Sequence, residues 1–286
     1  MIDKRNKNEF YWQKLDFRTS IAAAKFLQEQ EMYCVSACSR FLKRNFYGVA
    51  VWVLRSREKN IKALLVHSKR SLLPVFGTCT EIPNPYFLRK IVLKTPIHSV
   101  QGLEKDVAIL EKYLTELACS SIEKIPYNLM YTNDFPGIDV KPQIPGLIIR
   151  KAVKNDIDEL SLLQAGYEKE EVLPCGADFN PAASRLNTER IFLHEQLFVA
   201  QLGNRLVGKI NTSGLSFTRF QIGGVFVLPE FRGRGIARYM TGIFTKMLLE
   251  QGRGVSLFVK KANNPANSVY KHLGFKYLAD YRINYH

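Results

Sequence analysis

A turn rich in glycine and arginine, from Arg232 to Ala237, has the clearest chemical potential in this sequence. It reads Arg-Gly-Arg-Gly-Ile-Ala. Glycines allow a sharp turn and let bare backbone approach a ligand, and the first amides of a following helix have no partner within that helix. Together with the helix dipole, such amides form an anion site suited to a pyrophosphate. By itself the pattern also suits a plain structural turn or a dinucleotide-binding loop.

The elements that must position this turn are a strand before it and a helix after it. Residues 225–227 are β-branched or aromatic, as strands favour, and Pro229 cannot donate to a ladder, so the strand should end there. From Ile236 onward, apolar residues recur at helical spacing. Gly252 and Gly254 are predicted to end the helix.

A second motif lies downstream, after a predicted strand at 255–260. The two motifs read Arg232-x-x-Gly235-x-Ala237 and Asn263-x-x-Ala266-x-x-x-Tyr270-x-x-x-Gly274-Phe275. In order and spacing they resemble the GNAT superfamily, the acetyl-CoA-dependent N-acetyltransferases. The resemblance covers about residues 147–286, whose predicted element order is β-α-α-β-β-β-α-β-α-β. It implies the GNAT fold, an α/β fold (α+β, mixed sheet), for the C-terminal half.

The resemblance also implies what each part of the half does. The strand at 225–227 would bond the pantetheine arm of acetyl-CoA through its backbone, and the turn would hold the pyrophosphate. Gly223 and Gly224 suit a bulge that opens the cofactor slot. The implied cofactor-binding residues are Val225, Phe226, Val227, Arg232, Gly233, Arg234, Gly235, Ile236, Ala237, Arg238 and Asn263.

Tyr270 stands where the family places the acid that protonates the leaving thiolate, while the acetyl group passes directly to an amine. A thiol has a pKa of about 8.5 and a tyrosine a pKa of about 10, so proton transfer from tyrosine to the thiolate is uphill by only ~2 kcal/mol. The other interpretation of Tyr270 is an amphipathic aromatic on the surface of a helix.

The general base is harder to assign. An amine with a pKa of about 10.4 must lose a proton before it attacks, yet the predicted strands at 219–222 and 256–259 carry no carboxylate. The resemblance places residues 167–171 beside the acceptor pocket, and Glu168 and Glu171 there are three residues apart, on one face of a helix. A water held by backbone carbonyls is an alternative base, and a solvated surface is an alternative role for both glutamates.

A chain of 286 residues suits two domains, predicted at 1–142 and 143–286 with a linker rich in proline and glycine at 133–146. In the first half, a strand at 91–93, a loop at 95–102, a helix and a strand at 127–131 repeat the order seen in the second. This half resembles the degenerate GNAT-like half of tandem GNAT proteins and is predicted to lack a cofactor site. An unrelated α/β domain is the alternative.

Charge and composition narrow the cellular setting. The net charge of +15 is spread over both halves, which argues against a dedicated nucleic-acid tail. No apolar run is long enough for a membrane helix, and the five cysteines show no metal or disulfide pattern. We expect a cytoplasmic enzyme with no metal, no membrane partner and an oligomeric state left open.

The leading hypothesis is an N-acetyltransferase that transfers acetyl from acetyl-CoA to a primary amine of a small molecule or peptide. One alternative is a non-catalytic acyl-CoA-binding sensor or scaffold. The other is a nucleic-acid-associated acetyltransferase, which only the charge suggests.

Overall fold

The computed structural model describes residues 10–44, 48–58, 60–135 and 144–286. The chain forms two compact units, one comprising Met1–Asn128 with Ala279–His286 and the other Leu129–Leu278. The predicted boundary between residues 142 and 143, with most of the predicted linker, lies outside the described residues. None of the helices in the described ranges combines the length and the apolar character needed to cross a membrane.

The first unit is a mixed sheet with helices. Its elements are β1 (Phe10–Lys14), α1 (Phe17–Glu29), a 3-10 turn (Glu31–Tyr33), α2 (Val35–Leu42), β2 (Val49–Ser56), β3 (Ile61–Ser68), β4 (Ser71–Val75), α3 (Phe87–Lys94), β5 (Ser99–Leu103), α4 (Glu104–Glu116) and the start of β6 (Glu123–Thr132). Strands β1 to β5 lie in chain order; β4 and β5 are parallel and the other neighbours antiparallel. The chain returns to this unit at its end, where Tyr281–Tyr285 pairs with β5.

The predicted strand at 91–93 is wrong, because these residues belong to helix α3. Phe87 and Leu88 are buried, as is Ile91 one helical turn later, while Leu93 is 76% exposed. Three consecutive apolar residues do not distinguish a buried strand from one turn of a helix. The loop predicted at 95–102 is also partly wrong, since β5 begins at Ser99 and leads directly into α4.

The second unit has the element order predicted from the sequence. Its elements are β7 (Leu147–Lys151), a 3-10 turn (Lys154–Asp156), α5 (Ile157–Tyr167), a π-helical turn (Glu168–Val172), α6 (Pro181–His194), β8 (Leu197–Leu202), β9 (Arg205–Leu215), β10 (Arg219–Val227), a 3-10 turn (Pro229–Phe231), α7 (Ile236–Leu249), β11 (Gly254–Lys260), α8 (Asn264–His272) and the start of β12 (Lys276–Tyr285). The sheet runs β11-β10-β9-β8-β7, with β10 and β11 parallel and the rest antiparallel.

Two apolar cores cover the two faces of this sheet. Alternate side chains of a strand point to opposite faces, so Val227 joins the core under α7 and Phe226 joins the core under α5. Helix α5 packs so closely that a Cβ on Gly166 would lie 2.6 Å from the Phe226 ring. The end of β10 is therefore held firmly between two helical layers.

Candidate active site

Strand β10 separates from β11 halfway along its length. The parallel pairing of these two strands begins with Arg219 opposite Gly254 and ends with Ile222 opposite Leu257. On the other side, the register with β9 shifts between Gly223 and Phe226, which marks a β-bulge. The predicted bulge at the paired glycines is present. Backbone groups of β10 beyond it do not pair with β11.

Gly224 is required at the bulge for two independent reasons. Its φ of +59° lies in the left-handed region, which side chains rarely adopt. A Cβ there would lie 2.1 Å from Asn211 Oδ1 and 2.6 Å from Lys209 Nζ. The bulge is thus enclosed by two polar side chains of β9.

The turn after β10 has the backbone conformation that an anion site needs. Gly233 and Gly235 have φ of +74° and +75°, and α7 begins immediately afterwards. The first turn of α7 has no side-chain cap and no acidic residue. Its leading amides therefore face outward with the positive end of the helix dipole.

Arg232, predicted to bind cofactor, is engaged within the protein. Its Nε donates to the carbonyl of Val227 at 2.9 Å, and its Nη2 donates to both carboxylate oxygens of Glu170 at 3.0 and 2.8 Å. Both side chains are roughly half exposed, so the pair adds little stability. Its main effect is to tie the π-helical turn to the end of β10.

Tyr270 is buried, with 7% of its surface exposed, and its ring meets Phe275 edge-on at 5.9 Å. This excludes the interpretation of Tyr270 as a surface aromatic. Burial raises the pKa of Tyr270 well above its usual value, and the neighbouring Tyr167 and Glu171 raise it further. Tyr270 consequently holds its proton at neutral pH, as a proton donor must.

Asn263 has a structural role that connects two predicted site residues. Its Oδ1 accepts from Ala266 N at 3.1 Å and so caps α8. Its Nδ2 donates to Glu171 Oε1 at 3.0 Å, and Lys260 Nζ pairs with Glu171 Oε2 at 3.3 Å. Glu171 is thereby fixed between the end of β11 and the start of the helix that carries Tyr270.

Glu168 and Glu171 do not share a face of an α-helix, because α5 ends at Tyr167 and a π-helical turn follows. Such turns are frequent at functional sites. Glu168 Oε1 accepts from Gln164 Nε2 and from Asn187 Nδ2, each at 2.7 Å. The two carboxylates therefore have separate sets of partners.

Sequence reasoning missed Lys209, on β9. The side chain is 1% exposed, and Nζ donates to Asn211 Oδ1 and to the carbonyl of Gly224, both at 2.9 Å. Burial lowers the pKa of Lys209 to about 7, against a smaller raising effect of Glu168. The available signal was a lysine between Gly208 and Ile210 in a predicted strand, a position that the strand's other side chains mark as interior.

Tyr167 lies beside both ends of the site. Its ring centroid is 4.9 Å from Lys209 Nζ, and it lies close enough to Tyr270 to help raise the pKa of that tyrosine. Tyr167 thus connects a tyrosine that keeps its proton with a lysine able to lose one. Proton transfer at a group delivered by an anionic carrier is chemistry that these groups can perform.

Comparison with known proteins agrees with this arrangement. The Acetyltransferase (GNAT) family matches at residues 165–275, a range that contains the bulge, the turn and Tyr270. No curated protein matches this sequence. Residues 165–275 therefore carry a GNAT acetyltransferase domain, which supports an acyltransferase.

Solved structures similar to this chain extend over both halves. A Drosophila protein is 9% identical with a TM-score of 0.66, over 96% of this chain and 98% of its own. A GCN5-related N-acetyltransferase from Sphaerobacter thermophilus is 16% identical with a TM-score of 0.58, covering 97% and 95%. A tandem GNAT protein from the clavulanic acid biosynthesis pathway is 12% identical with a TM-score of 0.58, covering 96% and 98%. At these identities the likeness concerns the fold, which is GNAT-like in both halves.

Proposed function

We propose that this GNAT-family chain transfers an acetyl group from acetyl-CoA directly to a primary amine of a small molecule or peptide. The observation that carries the proposal is the separation of β10 from β11 at the bulge, next to the uncapped start of α7 and Tyr270. A slot with strand backbone that does not pair with β11 at one end and an uncapped helix start at the other suits a long carrier with a pyrophosphate in its middle. The tandem GNAT neighbour is described without AcCoA, which names the same carrier for that protein.

The binding roles follow from the geometry. The backbone of Val225, Phe226 and Val227 does not pair with β11 and is proposed to bond the pantetheine arm, except through the Val227 carbonyl, which accepts from Arg232 Nε. The amides of residues 233–238 would hold the pyrophosphate, with positive charge from Arg234 and Arg238. Arg232 would hold the turn in place through Val227 and Glu170, and Asn263 would act by orienting α8 and Glu171.

The transfer needs one proton delivered and one removed. Tyr270 would give its proton to the thiolate that leaves when the amine attacks the thioester carbon. The phenolate then recovers a proton from the nitrogen of the new amide. Before attack, the acceptor ammonium must lose a proton. Glu171 and Glu168, which the family resemblance places beside the acceptor pocket, are candidates for this step, directly or through one water.

The first unit is proposed to have no cofactor site of its own. No glycine turn separates β5 from α4, and Glu104 and Asp106 lie in the first turn of α4. Asp106 Oδ2 accepts from Phe76 N at 3.1 Å, and carboxylates at a helix start oppose a bound anion. This unit would therefore act as a scaffold.

The direct test is calorimetry with acetyl-CoA followed by thiol release with a panel of primary amines. We expect saturable binding and amine-dependent release of thiol. Acetyl-CoA binding with no thiol release for all of the amines tested would favour a non-catalytic sensor. Absence of acetyl-CoA binding would exclude the proposal altogether.

A further inference from the structure

A lysine lies under the bulge of β10 with almost no solvent contact, and the steps proposed so far do not use it. We propose that Lys209 is the group that takes the proton from the acceptor ammonium before attack. This inference rests on the proposed acetyl transfer and names its missing base.

The hydrogen bonds of Lys209 suit a proton acceptor. Two acceptors surround Nζ, Asn211 Oδ1 and the Gly224 carbonyl, both at 2.9 Å. A neutral amine has two N–H groups and one lone pair, so it satisfies both acceptors and keeps the lone pair for a proton. The ammonium form lies over the Tyr167 ring, with Nζ 4.9 Å from the ring centroid, where a cation is stabilised. Both protonation states therefore fit the same geometry.

The position of Lys209 is on the face where the acceptor would approach. Its directly paired residues, Val199 on β8 and Phe226 on β10, belong to the core under α5 and α6. Residues opposite each other on paired strands share a face, so Lys209 points toward the end of α5. Tyr167 is partly exposed, and its ring centroid is 4.9 Å from Lys209 Nζ. The acceptor amine would enter beside this ring.

The groups around Lys209 determine its pKa. The paired residues Val199 and Phe226 carry no charge. Tyr167 faces it from α5, and Glu168 of the π-helical turn raises the pKa of Lys209, while burial lowers it to about 7. A base is most effective when its pKa lies near the working pH.

The two candidate carboxylates are less suited to this step. Glu168 Oε1 accepts from two amide donors at 2.7 Å. Glu171 is bonded by Asn263 at 3.0 Å and paired with Lys260 at 3.3 Å. Both carboxylates are thus already held by other side chains in structural contacts, whereas the neutral amine of Lys209 keeps one lone pair that its two hydrogen bonds do not use.

The protons balance over one turnover. Lys209 takes one proton from the acceptor ammonium, and the neutral amine attacks the thioester carbon. Tyr270 protonates the departing sulfur as the carbon–sulfur bond breaks, and its phenolate takes the second proton from nitrogen. Lys209 then releases its proton to solvent, so the net products are the amide, the thiol and one proton.

The experiment is the pH dependence of kcat/KM for wild type, Lys209→Met, Asn211→Asp and Glu168→Gln, with acetyl-CoA affinity measured by calorimetry for each. Wild-type activity should rise with pH to a plateau, with a midpoint near about pH 7. Lys209→Met should lose about 10²- to 10⁴-fold in kcat and lose this rise, while it binds acetyl-CoA as wild type does. Binding in the variant also shows that it folds.

The other two variants assign the rise to Lys209. Asn211→Asp places a carboxylate on Nζ and should move the midpoint to higher pH, because an opposite charge favours the ammonium. Glu168→Gln removes a charge that raises the lysine pKa and should move the midpoint to lower pH. A rise that belonged to the acceptor amine would stay in place in Asn211→Asp, and that result would overturn the inference even if Lys209→Met did not fold.

Two results separate failure of this inference from failure of the proposed function. If the wild-type enzyme releases no thiol, the proposed acetyl transfer itself is wrong. If the wild type is active and Lys209→Met keeps the same rate and the same pH dependence, the proposed transfer stands and Lys209 is not its base. Loss of the pH dependence in Glu168→Gln alone would make Glu168 the base instead.

Discussion

Asn263 and Glu171, 92 residues apart in the chain, are joined by a hydrogen bond of 3.0 Å from Nδ2 to Oε1. The same asparagine caps α8 through its Oδ1. One side chain therefore links the π-helical turn to the helix that carries Tyr270. This explains why a short polar residue is needed at the start of α8, independently of any contact with cofactor.

Replacing Asn263 should show whether its bond to Glu171 matters for turnover beyond its role as a helix cap. Asn263→Ala removes the cap of α8 and should lower the free energy of unfolding by ~1 kcal/mol. It also loosens the start of the helix that carries Tyr270 and breaks its link to Glu171, so turnover should fall. Asn180→Ala is a matched control, since Asn180 caps α6 by accepting from Ala183 N at 3.0 Å but contacts no predicted site residue. Similar stability loss in both, with reduced kcat only in Asn263→Ala, is expected; equal kcat in the two would contradict the link.

Tyr270→Phe tests the proposed acid. The variant removes one hydroxyl from a buried ring, so the packing against Phe275 stays. Without the proton donor, kcat should fall by about 10²- to 10⁴-fold, while calorimetry shows unchanged acetyl-CoA affinity. Tyr281→Phe serves as the control, because Tyr281 is a buried tyrosine of the first unit. Wild-type activity in Tyr270→Phe would remove Tyr270 as the acid.

Gly233→Ala tests the anion site. Its φ of +74° is strained for alanine, though nothing lies within 4 Å of the added Cβ, so the cost should be ~1–2 kcal/mol. Gly252→Ala is closely matched, with φ of +72° and equally open space, but it follows the other end of α7. Both should lose the same thermal stability, and only Gly233→Ala should weaken acetyl-CoA binding. Equal affinities would place the phosphates elsewhere.

The parts of the fold that could be predicted from the sequence are those with local causes. Pro229 forbids ladder donation after β10, the apolar spacing from Ile236 sets α7, and the paired glycines set the bulge. The error at 91–93 has a local cause too. Helix and strand both bury a run of three apolar residues, and the deciding partner, Trp52, whose ring stacks on Phe87 of the same helix at 4.1 Å, is far away in the chain.

The parts of the site that could not be predicted depend on distant contacts. Lys209 becomes a potential base because it is buried and because its Nζ donates to the carbonyl of Gly224, 15 residues later in the chain. Glu171 is set by Asn263 and Lys260. No spacing rule indicates these neighbours, since they come from the way that strands and helices pack.

The buried state of Lys209 predicts a pH dependence of stability that does not require activity. The pKa of the lysine is about 7 in the folded chain and about 10.4 when unfolded. Between these values the unfolded chain binds a proton that the folded chain lacks, so the free energy of unfolding should rise with pH by about 1.4 kcal/mol per unit. Below pH 7 both states are protonated, and this contribution has no slope.

Comparing wild type with Lys209→Met isolates that contribution, since methionine binds no proton. In urea unfolding at successive pH values, wild type should gain on the variant as pH rises from about 7 to about 10, by up to ~4 kcal/mol. Lys151→Met is the control, because Lys151 is exposed and loses little hydration on folding; its difference from wild type should stay flat. A flat difference for Lys209→Met would mean that Lys209 has the same protonation in both states, and the lone pair required by the proposed chemistry would then be absent at neutral pH.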